Sequence, residues 1–426
     1  MRTGVHPPSN LAGNPPAGAV SRPPFQTGRL TAYHGLMMRT HMVQPVTALD
    51  YRRLAKRRLP RYLFDYIDGG ANDETTLRAN EADFREICLR QSVLRDVSSV
   101  STETTLCGQP SAMPLALAPV GLAGMMARRG ETQAARAAGR AGVPFSLSTV
   151  GICPLEEVQA AATGPVWFQL YKLRERPLVV KLLRRAQEAG CKTLLFTVDL
   201  AAAGMRHRDL RNGMLGTGLH ARVVRAWRLV SSPRWVWDVG IRGRPHEFGN
   251  LDGLMSGANK LDAYKAFIGS QFDASATWKD IAWLRTQWSG SILIKGVMCA
   301  EDAREAVNAG ADGVIVSNHG GRQLDGAPST ITRLPEVVSE VGDRTEVYLD
   351  GGVRSGIDVV RAVALGARAV LIGRPWVWAV AARGEAGLSR LLAVFQQEIA
   401  TAMALMGVTE IPGLGEKNIT RRRASP

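Results

Sequence analysis

Cysteine is scarce in this chain and badly placed for pairing. The 426 residues hold five (Cys88, Cys107, Cys153, Cys191, Cys299), an odd number, with no C-x-x-C spacing. That pattern excludes a disulfide framework and a thiolate zinc site. It reads as buried free thiols in a reducing compartment, with no metal expected. Long apolar runs are also missing: no run of about 18 apolar residues without charge exists, so no transmembrane helix is expected. The N-terminus lacks the apolar core of a secretory signal. Acidic residues are absent from residues 1–41, which hold four Arg, and from 417–426, which hold Lys417, Arg421, Arg422 and Arg423. Residues 222–244 carry six Arg against one acid, Asp238. The net charge of +15 is therefore concentrated in two ends and one internal segment, and the rest is nearly neutral. No nucleic-acid-binding motif accompanies it, so no nucleic-acid partner is expected.

What is present points to one large α/β domain. Residues 1–41 are rich in Pro, Gly and Ser and cannot support a packed core. They are read as a disordered extension, or as preceding a true start at Met42. Residues 42–415 form the domain proper, and 416–426 a basic tail. A helical segment opens it: Thr47 to Ala55, a restart at Pro60, an apolar face of Leu63, Phe64 and Ile67, and a stop at Gly69-Gly70. After residue 113, short apolar β-branched runs alternate with Ala- and Leu-rich helical patterns. Eight runs end near Pro119, Ser148, Tyr171, Asp199, Lys295, His319, Asp350 and Gly373. Six connections are short. The seventh, between Asp199 and Lys295, is far longer, with an insertion at about 213–270. This predicts a (β/α)8 TIM barrel with an N-terminal helical segment and a long insertion after strand 4. An open doubly wound sheet would put its Gly-rich phosphate loop after the first strand. Here the Gly-rich signals follow strands 7 and 8.

Chemistry concentrates at those strand ends. Ser317-Asn318-His319-Gly320-Gly321-Arg322-Gln323-Leu324-Asp325 follows the run Gly313-Val314-Ile315-Val316. A histidine that titrates near neutrality stands three residues from an arginine able to grip a carboxylate. The pair suits removal of a proton from a small acid anion. A histidine in a Gly-rich turn is, taken alone, more often a plain hydrogen-bonding residue. Asp350-Gly351-Gly352-Val353-Arg354 and Gly373-Arg374-Pro375 follow strands 7 and 8, where barrels commonly hold a phosphate. Lys295 ends a buried strand, facing either an anion in the barrel mouth or a structural carboxylate.

These motifs, with Phe64-Asp65-Tyr66-Ile67-Asp68-Gly69-Gly70-Ala71, Phe168-Gln169-Leu170-Tyr171 and Thr197-Val198-Asp199, resemble the FMN-dependent α-hydroxy acid dehydrogenase/oxidase family. The likeness runs from about residue 43 to 415 and implies the following roles. His319 is the base that takes the substrate hydroxyl proton, or the α-proton in a carbanion description, and Asp199 stabilises the imidazolium. Arg206 and Arg322 clamp the substrate carboxylate, with Tyr66 and Tyr171 on the carboxylate and hydroxyl. Arg208 is the alternative to Arg206. Ser148, Gln169 and Thr197 bind the FMN ring and Lys295 its electron-rich edge. Asp350 lies at the ribityl chain, and Gly351, Gly352, Arg354, Gly373 and Arg374 form the phosphate end.

Within that family, Trp235-Val236-Trp237-Asp238-Val239-Gly240, Gly243-Arg244-Pro245-His246 and Met125-Met126-Ala127-Arg128-Arg129-Gly130-Glu131 resemble the bacterial respiratory L-lactate dehydrogenases. The resemblance implies oxidation of L-lactate to pyruvate, a quinone or other respiratory acceptor, a homo-tetramer, and a peripheral position on the cytoplasmic side of the cell membrane. The basic, Trp-bearing stretch 222–244 has the composition of an interfacial segment, or of a lid packed on the barrel. A soluble oxidase making hydrogen peroxide, a mandelate-type dehydrogenase, an FMN-binding isomerase and a non-enzymatic basic binding protein are the competing readings.

Overall fold

The computed structural model describes residues 44–212, 232–251 and 271–422. The proposed disordered extension 1–41, much of the insertion and part of 222–244 lie outside the described residues.

Eight parallel strands close into a barrel: β1 (Leu115–Leu117), β2 (Phe145–Ser148), β3 (Val166–Tyr171), β4 (Thr193–Thr197), β5 (Ser291–Val297), β6 (Gly313–Val316), β7 (Glu346–Asp350) and β8 (Ala369–Ile372). β8 pairs with β1 through Leu371 opposite Ala116, which completes the ring. The expected (β/α)8 architecture is the one found, and the long connection leaves after β4.

The sequence produces this site geometry through the period-2 phase of each strand. Residues of one phase fill the barrel interior, where Ala116, Trp167, Leu195, Leu293, Ile315, Tyr348 and Ala369 pack as an apolar cluster. Trp167 and Tyr348 meet edge to face at 6.2 Å. Two residues further along several of those strands, the same phase becomes polar: Gln169, Thr197, Lys295, Ser317 and Asp350. The interior is thus apolar below and polar at the C-terminal mouth. Leu106, on a hairpin of Thr104–Leu106 and Gln109–Ser111, joins the apolar cluster. That hairpin is tied to the start of β7, with the Cys107 amide donating to Glu346 at 3.0 Å.

Three helices precede the barrel, and the second and third reach its mouth. α1 (Ala48–Arg58) begins with a capping box in which Thr47 and Asp50 each accept the other's amide, at 3.2 and 3.0 Å. α2 (Arg61–Asp68) starts after Pro60, and Gly69 follows its last turn as expected. It carries Tyr66 to the mouth. α3 (Thr75–Ala82) supplies Asn80, whose amide exchanges two hydrogen bonds with Asn318 at 2.8 and 2.9 Å. At the other end of the chain, Ile419–Arg421 pairs antiparallel with Ile87–Leu89, so the basic C-terminal stretch begins as an edge strand. No helix among the described residues is long and apolar enough to cross a membrane.

Candidate active site

A cavity of about 360 Å³ opens at the C-terminal mouth of the barrel. Tyr66, Tyr171, Arg206, Lys295, His319, Arg322, Asp350, Gly351, Gly352, Arg354, Gly373 and Arg374 all line it. Asp199, Ser148, Gln169 and Thr197 stand behind its wall.

His319 is held in the left-handed region, with φ +57°, and Gly320 and Gly321 follow at +65° and +72°. Such a run needs external support. Ser317 Oγ accepts the His319 amide at 3.1 Å, and Asn318 Oδ1 accepts the Gly321 amide at 3.1 Å. The imidazole meets Asp199 through Nδ1 at 2.9 Å from Oδ1, which leaves Nε2 for a substrate. Burial pushes the Asp199 carboxyl up, but the His319 charge and hydrogen bond, with Lys295 behind, hold it below its ordinary value. Room for Asp199 comes from a bulge in β5. Gly296 sits there at φ +117°, and a Cβ on it would lie 2.7 Å from Asp199 Cβ.

Lys295 pairs with Asp350 at 2.9 Å and donates to Ser317 Oγ at 2.8 Å. Burial pulls its ammonium down, yet Asp350 and Asp199 raise it overall. The structural ion pair and the place in the mouth, weighed as alternatives from sequence, are both present.

Two arginines converge on one tyrosine. The Arg322 and Arg206 guanidiniums lie 5.1 and 5.6 Å from the Tyr66 ring centre. Arg322 Nη1 donates to the Tyr66 and Gly69 carbonyls at 2.6 and 2.9 Å. Arg208, the alternative, is turned away into ion pairs with Asp68 and Glu74. Burial raises the Tyr171 phenol, with Tyr66 and Asp199 adding to it, so Tyr171 stays a donor at neutral pH.

Behind the cavity runs a buried row. Ser148 Oγ donates to Gln169 Oε1 at 3.0 Å, and Gln169 Nε2 donates to Thr197 Oγ1 at 3.1 Å.

At the β7–β8 end, Gly351 and Gly352 have φ +89° and +85°, and Gly373 precedes a helix that begins at Arg374 and breaks at Gly384. Arg374 donates to three backbone carbonyls, of Ile67, Gly320 and Gly69. Burial, then the neighbouring charges of Arg322 and Arg354, push its guanidinium downward. Arg354 pairs with Glu81 at 2.7 Å and keeps a buried Nε without a partner, as does Asp350 Oδ1. Crowded cations, positive-φ glycines and a helix N-terminus fit the phosphate of FMN, and the Ser148–Gln169–Thr197 row fits its polar ring edge. Arg374 lines this end of the cavity, and its three hydrogen bonds to backbone also fix the loops around it.

Sequence reasoning missed several wall residues. Val150, Gly121, Gln323 and Phe272 line the cavity, and Phe272 stacks on Tyr171 with ring centres 4.9 Å apart. Phe272 lies where the long connection returns to the barrel, which no local motif announces. Gln323 was inside the quoted motif without a role; it donates to the Asp199 and Ala202 carbonyls, each at 2.8 Å.

Known proteins of similar sequence and fold belong to one family. The chain matches the family described as FMN-dependent dehydrogenase over residues 55–421. It is 51% identical over 376 residues to an L-lactate dehydrogenase of Chromohalobacter salexigens, covering 88% of this chain and 95% of that one. A Caulobacter L-lactate dehydrogenase is 53% identical over 362 residues, covering 85% and 95%. The solved structure of the monotopic membrane protein (S)-mandelate dehydrogenase superposes with a TM-score of 0.83 at 36% identity, covering 89% of this chain and 100% of that one. A mandelate oxidase structure gives 0.75 at 37% identity, covering 89% and 99%. The chain belongs to the FMN-dependent dehydrogenase family, and FMN is its cofactor.

Proposed function

We propose that this protein oxidises L-lactate to pyruvate and passes the electrons to the respiratory chain, through a quinone or a cytochrome. The observation that carries the reading is the His319–Asp199 pair facing a cavity that also holds Arg206, Arg322, Tyr66 and Tyr171. FMN, when bound, supplies the two-electron acceptor. The protein's own groups do the rest. Arg206 and Arg322 hold the substrate carboxylate, and Tyr66 and Tyr171 orient carboxylate and hydroxyl. His319 Nε2 takes the hydroxyl proton as the carbonyl forms. Asp199 stabilises the resulting imidazolium at its far nitrogen. Lys295, buried at the barrel mouth, would supply positive charge to stabilise an anionic reduced cofactor. Ser148, Gln169 and Thr197 would hold the FMN ring, Asp350 would lie at its ribityl chain, and Gly351, Gly352, Arg354, Gly373 and Arg374 would hold its phosphate.

L-lactate is favoured by relatives that are about half identical and bear that name. A mandelate-type activity is the second reading, because structural neighbours are named for mandelate. Peripheral contact with the cytoplasmic face of the cell membrane is supported by the monotopic neighbour and by exposed Trp237 and Ile241 in the basic segment. A homo-tetramer is proposed on the resemblance alone.

Anaerobic bleaching of the bound flavin by a panel of L- and D-2-hydroxy acids tests the substrate. L-lactate should bleach fastest, and a clear preference for L-mandelate would replace it. Rapid peroxide formation in air without an added acceptor would overturn the dehydrogenase reading in favour of an oxidase.

A further inference from the structure

The long connection after β4 reaches back to the barrel at a residue that none of the recognised motifs contains. Asn250 is 1% exposed. Its Nδ2 donates to the Ser148 carbonyl at 2.9 Å, and its Oδ1 accepts the Leu155 amide at 2.8 Å. Ser148 ends β2, and Leu155 is the first residue of the helix Leu155–Ala161. One side-chain amide therefore spans both ends of the loop 149–154, and satisfies one of the unpaired amides at a helix start. Its own position is fixed. Arg185 donates to the Asn250 carbonyl at 2.8 Å, and a Cβ on Gly249 would lie 2.4 Å from Pro154 N, so glycine is needed for the close approach.

The clamped loop is part of the cavity wall. Val150 lines the cavity, and its amide donates to Ser148 Oγ at 3.3 Å. Its carbonyl accepts the Leu122 amide at 3.0 Å, beside Gly121, another wall residue. Ser148 is also the first member of the row through Gln169 to Thr197. A shift of the Ser148 carbonyl therefore moves both the row and the wall.

We propose that Asn250 is a positioning residue for the FMN end of the cavity, holding the β2 end and its loop so that Ser148, Gln169 and Val150 present the geometry FMN binding needs. The inference rests on the reading of that row as the cofactor's ring site. It assigns the middle of the long connection a part in cofactor binding, separate from any contact with a membrane.

The test is FMN binding to the apoprotein by flavin fluorescence, with the visible circular dichroism of the bound flavin as a second readout. Asn250→Ala should fold with one cooperative melt, weaken FMN binding by roughly tenfold, and alter the flavin dichroism, since the lost bonds are buried. Asn250→Asp keeps the shape and the acceptor for Leu155 but loses the donor to Ser148, and should act in the same direction. It decides the matter if the alanine variant does not fold. Gln169→Ala is the control for the underlying reading and should weaken FMN binding too. If Gln169→Ala weakens FMN binding while the folded Asn250 variants match wild type in both readouts, the role of Asn250 is overturned and the site stands. If Gln169→Ala also leaves binding and dichroism unchanged, the reading of the row falls, and the proposal with it.

Discussion

His319 carries a backbone conformation that a non-glycine residue adopts only under constraint, and its neighbours supply that constraint. Ser317 and Asn318 hold the turn, Asn80 holds Asn318, and Asp199 orients the ring. His319→Gln should therefore retain FMN yet lose lactate-driven flavin reduction by about 10²–10⁴-fold, measured by anaerobic stopped flow. Near wild-type reduction would remove His319 from the role of base. Asp199 makes a second case, in stability. Its folded-state carboxyl lies below the ordinary value of 3.8. Its contribution is thus fully present above that value and drains as pH falls through the lower folded value. Urea melts of wild type and Asp199→Asn should show the largest gap at neutral pH and a shrinking one below pH 3.8. A gap that stays constant through the acid range would mean that the charge on Asp199 does not contribute.

Five barrel strands, β3 to β7, deliver a functional residue by phase: an apolar inward residue, then a polar one at the mouth. β5 departs from this rule at Gly296, where the bulge lets Asp199 stand against the strand. Gly296→Ala should drive Asp199 from His319, because the new Cβ meets Asp199 and φ +117° is hostile to alanine. The expected result is a slowed reductive half-reaction with FMN still bound, together with a lower melting temperature. Unchanged kinetics in Gly296→Ala would show that the bulge does not set the pair. Strand ends and the Gly-rich turns were legible in the sequence, because local pattern and spacing encode them; the choice of Arg206 over Arg208 came from the family resemblance. The Asn80–Asn318 pair, Phe272 and Asn250 were not. Each acts across a large sequence separation through one amide or one ring, and such contacts leave no periodic trace. Arg374 was legible as a residue of the phosphate end but not as a donor to three carbonyls, since backbone acceptors have no sequence signature.

At the scale of the whole molecule, the question is what the localised basic charge does. The stretch 222–244 was read as an interfacial segment or as a lid packed on the barrel, and the described part of it has residues of both kinds. Trp235 is buried, donating to the Met125 carbonyl at 2.8 Å, and Val239 is buried beside it. Asp238 pairs with Arg58 at 2.7 Å. These residues anchor the segment to the barrel, so deleting it would damage the fold and confuse the result. Trp237 and Ile241 are 60% and 50% exposed, with Arg234, Arg242 and Arg244 exposed around them. Aromatic and aliphatic side chains among arginines suit anionic headgroups. Trp237→Ser with Ile241→Ser should therefore lower co-sedimentation with phosphatidylglycerol-containing vesicles while leaving lactate-driven flavin reduction and the melting temperature near wild type. Binding should also weaken as salt rises, since part of it is electrostatic. Equal vesicle binding by the double variant would move the membrane contact elsewhere on the molecule and leave this surface as a lid or subunit contact.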